Sequence, residues 1–274
     1  MKVKEIVVGD YLTKSNLPAS DYVINPYVGC PHGCMYCYAS FMKRFTGHTE
    51  EWGDFVDVKR CTKKINLAKI KGKTVFLSSV TDCYNPLEEK YGITRSILEE
   101  LIQSDCFLSI STKSKLILRD LDLLKQIKNL TVSFSINTLD EEFQKDMDKG
   151  SSIKERLESL RVLHENGIHT VLFMSPIFPY ITEWKEIIEE AKDYVDEFWF
   201  ENLNLRGKYK TSILDYINKK YPELYEAYLD IYVKNKKDYW IELEEELNAY
   251  GVKNGIRFIN YFYHEELVKA KKEK

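Results

Sequence analysis

The sequence predicts an α/β fold, a partial (β/α)6 barrel in which six parallel strands alternate with helices. From residue 75 onward, short runs rich in β-branched and aromatic residues alternate with amphipathic helical runs, as in parallel sheets with right-handed crossovers. The chain has 274 residues, 44% of them hydrophobic, so it can bury one large core. Six strands are too few to close an eight-stranded TIM barrel, so the predicted barrel stays open.

The elements are assigned in chain order. The predicted strands cover residues 3–8, 22–25, 75–79, 107–111, 130–136, 169–174 and 198–200, and the last six of these form the barrel. The predicted helices cover residues 92–103, 118–127, 153–166 and 182–194. Residues 41–57 lack periodicity and are predicted to form a covering loop. Residues 1–207 then make up the barrel, and residues 208–274 a helical C-terminal extension on the same domain, with a strand at 256–260.

The loop after the first barrel strand carries Cys30, Cys34 and Cys37, three thiols within eight residues. Thiolates are the usual ligands of iron–sulfur clusters, and four of them normally hold a [4Fe–4S] cube. Three thiolates leave one iron without a protein ligand, and an open coordination position is typical of a metal centre that does chemistry. A zinc site with His32 as fourth ligand is the alternative, although His32 lies between two of the cysteines.

The cysteine spacing resembles the signature of the radical S-adenosylmethionine (radical SAM) superfamily. With Asn25-Pro-Tyr before it and Tyr38 after it, the run resembles the spore photoproduct lyase-like branch, and is similar to the group called radical SAM mobile pair protein B. The resemblance implies a [4Fe–4S] cluster on Cys30, Cys34 and Cys37 that cleaves S-adenosylmethionine (SAM) to methionine and a 5′-deoxyadenosyl radical. It also implies an electron donor such as flavodoxin or ferredoxin, and a second radical SAM protein as partner.

Polar residues follow every predicted barrel strand, and in parallel barrels the carboxyl ends of the strands carry the chemistry. We expect these residues to line one polar pocket for SAM. The candidate SAM-binding residues are Tyr36, Tyr38, Ser79, Thr81, Asp82, Lys113, Ser135 and Asn137.

Each candidate is given a role. Asp82, with Ser79 or Thr81 beside it, is predicted to accept hydrogen bonds from the SAM ammonium group, unless it caps the next helix. Lys113 resembles the carboxylate-binding lysine of the lyase branch, unless it is a surface lysine. Ser135 and Asn137 are predicted to bind the ribose, although Ser135 could instead satisfy backbone groups at the strand end. Tyr36 and Tyr38 match positions where the family packs aromatic residues near the adenine.

Cys83 is the candidate catalytic residue. In the photoproduct lyase, a cysteine after the second strand returns a hydrogen atom to the product, and the matching position here is Ser79. Cys83 lies on the other side of Asp82 and is predicted to serve from there, unless it is a buried small hydrophobic residue. Arg156 is left open between a contact to SAM and a packing role.

The charge distribution and the positions of the other cysteines limit the possible functions. The net charge is −3, but residues 1–75 carry 12 Lys and Arg against 7 Asp and Glu, a surface that could attract phosphates unless it is only a solvated mixed-charge face. Together with the resemblance to the lyase branch, this basic stretch leads to the expectation of a nucleic acid or nucleotide substrate. Cys61, Cys83 and Cys106 are far apart in sequence, and no membrane span or signal peptide is visible, so a cytoplasmic protein is expected. The alternatives are radical modification of a peptide or metabolite, and a non-catalytic iron–sulfur or zinc-binding module.

Overall fold

The computed structural model describes residues 1–17 and 19–262. The strands are β1 Lys2–Val7, β2 Leu12–Lys14, β3 Tyr22–Ile24, β4 Tyr27–Val28, β5 Phe55–Arg60, β6 Thr74–Leu77, β7 Phe107–Thr112, β8 Leu130–Ser135, β9 His169–Ile177, β10 Glu197–Asn202 and β11 Phe258–Asn260. The α-helices are α1 Leu67–Ile70, α2 Glu88–Tyr91, α3 Ile93–Leu101, α4 Leu121–Leu124, α5 Glu141–Met147, α6 Ile153–Glu165, α7 Trp184–Ala191, α8 Gly207–Lys220, α9 Tyr225–Tyr232 and α10 Asp238–Asn254. The 3₁₀-helices are η1 Tyr38–Phe45, η2 Lys115–Asp120 and η3 Pro222–Leu224.

The main sheet confirms the predicted α/β partial barrel. Its strand order is β11-β10-β9-β8-β7-β6-β3-β2. The six predicted barrel strands pair with one another in parallel, from β3 to β10. The sheet remains open, with β2 antiparallel at one edge and β11 parallel at the other.

Burial alternates along β6, β7 and β10 because one face of the sheet packs on helices and the other lines a cavity. In β7, Leu108 and Ile110 are buried while Ser109 and Ser111 are half-buried and line the cavity. The buried residues pack with apolar side chains of α3, α6 and α7 in one continuous core. The sheet therefore buries its outer face and keeps its inner face available.

A second, three-stranded sheet has the order β1-β5-β4. The predicted covering loop at 41–57 is wrong in part, because η1 extends over its first five residues and β5 begins at Phe55. Residues Phe55 to Val58 are all buried, so their pattern lacks the alternation that marks a strand with one exposed face. The last residue of β4, Val28, leads directly into the cysteine loop, so this sheet is the support of that loop.

The C-terminal part contributes more than helices. The predicted strand at 256–260 forms β11, which pairs with β10 as a seventh parallel strand of the sheet. The rest of the predicted extension, beyond residue 262, lies outside the described residues. The division of the chain at residue 207 stays a prediction. In the described parts of the chain, no helix is both long enough and apolar enough to cross a membrane.

Candidate active site

The cysteine loop folds back tightly against β5. Gly29 has φ +86°, and a Cβ at this position would lie 2.2 Å from the Phe55 carbonyl oxygen. Only glycine allows this approach without a shift of the backbone. The next turns are closed by bonds from the Gly33 amide to the Cys30 carbonyl (3.3 Å) and from the Cys37 amide to the Cys34 carbonyl (3.1 Å). All three cysteines line one cavity.

Two other segments fix the loop from outside. The Met35 amide donates to the Met147 carbonyl (2.8 Å), and the Lys149 amide donates to the His32 carbonyl (2.8 Å). The Thr81 hydroxyl donates to the Gly29 carbonyl (2.8 Å). Thr81 lines the cavity, but its hydroxyl proton is used to hold the loop. The loop is thus preformed by backbone contacts to the segments after β6 and α5.

Cys30 is buried and Cys34 and Cys37 are half-buried, and the surrounding protein raises the pKa of all three thiols. Burial, together with the charges of Asp82 and Cys37, raises the pKa of Cys30 to about 12. Burial raises the pKa of Cys34 well above its ordinary value against the opposing charge of Lys113. Burial also raises the pKa of Cys37, an effect partly offset by the indole of Trp52. Metal binding displaces thiol protons. A bound cluster would therefore stabilise as thiolates three side chains that are otherwise difficult to ionise at this site.

The donor set fits a cluster. Among residues 1–17 and 19–262, no three His, Cys, Asp or Glu side chains are grouped closely enough to hold one metal ion. A [4Fe–4S] cube does not need such a group, because each thiolate binds a different iron. Cys30, Cys34 and Cys37 would hold the cube and leave its fourth iron open.

His32 is engaged elsewhere and is not placed as a zinc ligand. Its Nε2 atom lies 3.1 Å from an Asp82 carboxylate oxygen, and its Nδ1 atom lies 3.4 Å from the Lys149 carbonyl oxygen. Both ring nitrogens therefore face protein oxygens, and the side chain is only 3% exposed. The histidine connects the cysteine loop to the strand ends behind it.

The carboxylate of Asp82 is surrounded by protein donors. Its Oδ1 accepts from the Tyr84 amide and the Thr112 hydroxyl, each at 2.8 Å. Its Oδ2 accepts from the Lys113 amide at 2.8 Å and faces His32. Although burial alone would raise the pKa of Asp82, His32 and these donors hold it below its ordinary value. A carboxylate has about four acceptor positions, so this arrangement does not support the predicted contact to the SAM ammonium.

Lys113 extends into the cavity from the end of β7. Its Nζ atom lies 5.7 Å from the centre of the Tyr36 ring. In the described part of the chain, the Lys113 ammonium makes no ion pair. An unpaired ammonium beside the three cysteines suits the carboxylate of SAM, and this is the position that the sequence predicts.

Tyr36 reaches a buried ion pair beneath the site. Its hydroxyl donates to Asp148 at 3.2 Å, and Asp148 is paired with the Arg156 guanidinium. Arg156 is fully buried and also donates to the carbonyl groups of Ser151 (2.7 Å) and Ser135 (3.0 Å). All three contacts are to protein groups, so Arg156 has the packing role of the two that the sequence left open.

Four other candidates have partners of their own. The Tyr38 hydroxyl donates to the Ser79 carbonyl, and the Ser79 hydroxyl accepts from Asn25 Nδ2 at 3.1 Å. Ser79, Tyr38 and Ser135 all line the cavity. Asn137 does not line it, because its Nδ2 donates to the Pro176 carbonyl at 3.1 Å within the core. The predicted ribose contact of Asn137 is therefore not supported.

The structure does not bring Cys83 to the cavity. Its side chain is fully buried in the main hydrophobic core, where burial raises the pKa of the thiol well above its ordinary value. Its carbonyl accepts from the Thr94 hydroxyl at 2.7 Å. The packing alternative describes this environment.

Sequence reasoning missed the residues that organise the site. Asn25 Oδ1 accepts from the amides of Ser79 (2.8 Å) and Val80 (3.1 Å), which fixes the turn after β6. Asp148 binds Tyr36 across 112 residues of sequence. The position of Asn25 before Pro26 was visible as a local signal. The contact to Asp148 had none, because it exists only once the chain has folded.

The cavity has a volume of about 1870 Å³ and follows the inner face of the sheet from the cysteines toward the amino ends of the strands. One wall carries the hydroxyl groups of Ser109, Ser111 and Thr131. An aromatic wall is formed by Phe173 of β9, Trp199 of β10 and Tyr261 after β11, whose ring centres are 5.6 to 6.2 Å apart.

Comparison with known proteins agrees with this site. The radical SAM superfamily matches residues 24–196. An uncharacterized protein of Methanocaldococcus jannaschii is 37% identical over 240 residues, 87% of this chain and 89% of that protein. One of Acidianus two-tailed virus is 32% identical over 207 residues, 68% of each chain.

Two groups of solved structures share the fold. Spore photoproduct lyase complexed with dinucleoside spore photoproduct aligns with a TM-score of 0.57 at 17% identity, covering 80% of this chain and 66% of the lyase. SuiB of Streptococcus suis, bound to SAM, aligns with a TM-score of 0.58 at 15% identity, covering 87% of this chain and 49% of SuiB. The chain thus spans about two thirds of the lyase and half of SuiB.

The chain belongs to the radical SAM superfamily. It is an enzyme of that class, and its cofactors are a [4Fe–4S] cluster and SAM. The predicted superfamily and cofactors are confirmed, and a purely non-catalytic zinc or iron–sulfur module is set aside. The similarity to radical SAM mobile pair protein B stays a prediction.

Proposed function

We propose that this enzyme abstracts a hydrogen atom from a nucleic acid or nucleotide and acts as a lyase or modifying enzyme. The observation that carries the proposal is the cavity of about 1870 Å³ that runs along the inner face of the sheet from the cysteines to the amino ends of the strands. Pockets for small molecules usually measure about 300 to 1,000 Å³, so this one suits part of a polymer as well as SAM. The excess of basic residues in positions 1–75, 12 against 7, favours a polyanion.

In this proposal the chain's own residues bind and orient. When bound, the cluster and SAM supply a 5′-deoxyadenosyl radical. Lys113 binds the SAM carboxylate, and Ser135 and the rings of Tyr36 and Tyr38 are placed around the rest of SAM. Asp82 and Asp148 hold Lys113 and Tyr36 in place rather than contacting SAM. Cys83 has no part in it, because its thiol lies in the core.

Three further assignments accompany the proposal. A reductant must supply the electron, and flavodoxin or ferredoxin is the proposed donor. A second radical SAM protein is the proposed partner, on the basis of the sequence resemblance alone. We propose a cytoplasmic location, because Cys61, Cys83 and Cys106 are all free thiols, as is usual in a reducing compartment.

A peptide is the second candidate substrate. SuiB, which shares the fold, was solved bound to a precursor peptide. A peptide substrate has weaker support than a nucleic acid, because it does not account for the excess of basic residues in positions 1–75.

The test is the stimulation of SAM cleavage by candidate substrates. Anaerobically reconstituted enzyme would be reduced and given SAM with single-stranded DNA, duplex DNA, transfer RNA or a peptide fraction, and 5′-deoxyadenosine would be quantified. A nucleic acid is expected to raise the yield above the substrate-free level. Stimulation by peptides alone would overturn the proposal and favour the second candidate.

A further inference from the structure

An exposed aromatic patch lies at the mouth of the cavity. We define the η1 patch as Phe41, Arg44 and Phe45, three residues of the 3₁₀-helix that follows Cys37. The Phe41 side chain is 45% exposed and that of Phe45 is 68% exposed. Phe41 and Arg44 line the same cavity as the three cysteines.

The patch is not explained by packing. The Arg44 guanidinium carbon lies 4.6 Å from the centre of the Phe45 ring and 5.5 Å from that of Phe41, so the cation stacks on two rings that remain in water. Within the described residues, Arg44 has no carboxylate partner. Exposed apolar rings grouped around an unpaired cation are typical of an interaction site.

The surroundings add positive charge. Lys208 lines the same cavity, is exposed, and makes no ion pair in the described part of the chain. Lys113 provides an ammonium inside the cavity. Of the nearby cations, Lys43 is occupied by Glu51 at 3.6 Å and by the Thr49 carbonyl at 3.1 Å. Arg44 and Lys208 therefore remain available to an anionic ligand.

Flat apolar rings combined with free cations match a nucleotide. An aromatic face stacks on a base, and guanidinium or ammonium groups bind its phosphate. In a duplex the base faces are covered by their neighbours, so only a single strand or an unpaired nucleotide offers them. An acidic peptide would use the cations but would leave the two rings without a matching flat surface.

We propose that the η1 patch binds single-stranded nucleic acid, with an unpaired base stacked on Phe41 or Phe45 and a phosphate paired with Arg44. This inference rests on the proposed function and names the part of the molecule that selects the substrate. Because η1 begins one residue after Cys37, a nucleotide held there lies at the entrance to the radical site.

The experiment measures binding by the reconstituted holoenzyme. Fluorescence anisotropy would follow a labelled mixed-sequence single strand and its duplex across a salt series. Phe41→Ala and Phe45→Ala are each expected to weaken single-strand binding roughly fivefold to a hundredfold. Arg44→Ala is expected to weaken it and to reduce the slope of log affinity against log salt by about one.

The controls separate stacking from structure. Tyr180→Ala removes a ring that is 57% exposed after β9 and does not line the cavity, and it is expected to leave binding unchanged. Phe41→Leu keeps an apolar side chain without a π-face and is expected to lose most of the same affinity. Iron content of each variant would show that it carries its cluster.

The outcomes are distinct. If the native enzyme binds single strands and the η1 variants bind equally well, the η1 patch is not the binding site, and the proposed function is unaffected. Tighter binding of duplex than of single strand would overturn the single-strand assignment. If no nucleic acid binds and peptides do, the patch and the proposed function both fail.

Discussion

The floor and the rim of the cavity differ in how many of their polar groups are already used. At the floor, Asp82 has four protein partners, and Asp148 is held by Tyr36 and Arg156. At the rim, Phe41 and Phe45 are exposed, and Arg44 stacks on their rings with no carboxylate partner among residues 1–17 and 19–262. The polar groups of the floor are preorganised by the protein, whereas the exposed rings and the unpaired cation of the rim suit the ligand proposed above.

Removal of a cysteine ligand at the floor is expected to have the largest effect, the loss of the cluster. Alanine in place of Cys30, Cys34 or Cys37 is expected to abolish cluster binding, because one iron then loses its protein ligand. Iron content and visible absorbance of the reconstituted protein would be measured. Cys61→Ala, at a thiol that contacts the Lys63 carbonyl outside the cavity, serves as the matched control and should keep its iron. A triple variant that still held a cube would contradict the assignment.

Breaking the buried ion pair is the next largest change. Asp148→Asn leaves the Arg156 charge buried without its partner and is expected to lower the free energy of unfolding by about 3 to 5 kcal/mol. Chemical denaturation near neutral pH would measure it. Asp122→Asn, at an exposed pair with Arg95, should have a much smaller effect.

The same pair predicts a pH dependence. Burial alone would raise the pKa of Asp148, but the charges of Arg156 and Lys113 and the local hydrogen bonds lower it below its ordinary value. A lowered folded pKa gives stability that is present above the unfolded carboxyl pKa, about 3.9, and is lost as the pH falls through the folded value. The native protein should therefore lose more stability on acidification than Asp148→Asn. Equal pH profiles would contradict this coupling.

The close approach of the cysteine loop to β5 can also be tested. Gly29→Ala combines strain at φ +86° with a clash against the Phe55 carbonyl, whereas Gly72→Ala, at φ +66°, meets open space. We expect Gly29→Ala to destabilise the apoprotein by about 1 to 3 kcal/mol more than Gly72→Ala. Similar unfolding midpoints for the two variants would show that β5 does not confine the loop.

Lys113 is the one floor residue that is expected to act mainly on SAM. Lys113→Ala should weaken SAM binding by about 1.5 to 3 kcal/mol through the loss of a charge-assisted contact. Equilibrium binding to the reconstituted enzyme would measure it, with Lys115→Ala as control because that lysine pairs with Glu155. Unchanged affinity in Lys113→Ala would remove this residue from the site.

Cys83→Ala is expected to have the smallest effect on activity. The side chain lies in the core, so both SAM cleavage and product formation should continue at near-native rates, with a modest loss of stability. Both would be quantified once the substrate class is known. Continued SAM cleavage with loss of product would instead restore Cys83 as the returning hydrogen donor.

The difference between floor and rim also explains what the sequence could predict. The barrel strands and the cysteine loop depend on local patterns, namely periodicity and a spacing of three thiols within eight residues. The roles of Asp82 and Asn137 were not predictable, because their partners, such as Lys113 and Pro176, come from other strand ends. β5 was missed because burial on both faces removes the alternation that identifies a strand.

The place of β11 in the sheet has a consequence for biosynthesis. The strand that extends the sheet beyond β10 is made of residues 258–260, which leave the ribosome long after the cysteine loop. Chains generally fold from the amino terminus during synthesis, so β10 waits with an unpaired edge while α8, α9 and α10 are translated. If the cluster were inserted before β11 covers the edge of β10, the cysteine loop would be fixed by the metal while the aromatic wall of the cavity still lacked Tyr261. Cluster maturation is therefore expected to follow the pairing of β11 with β10.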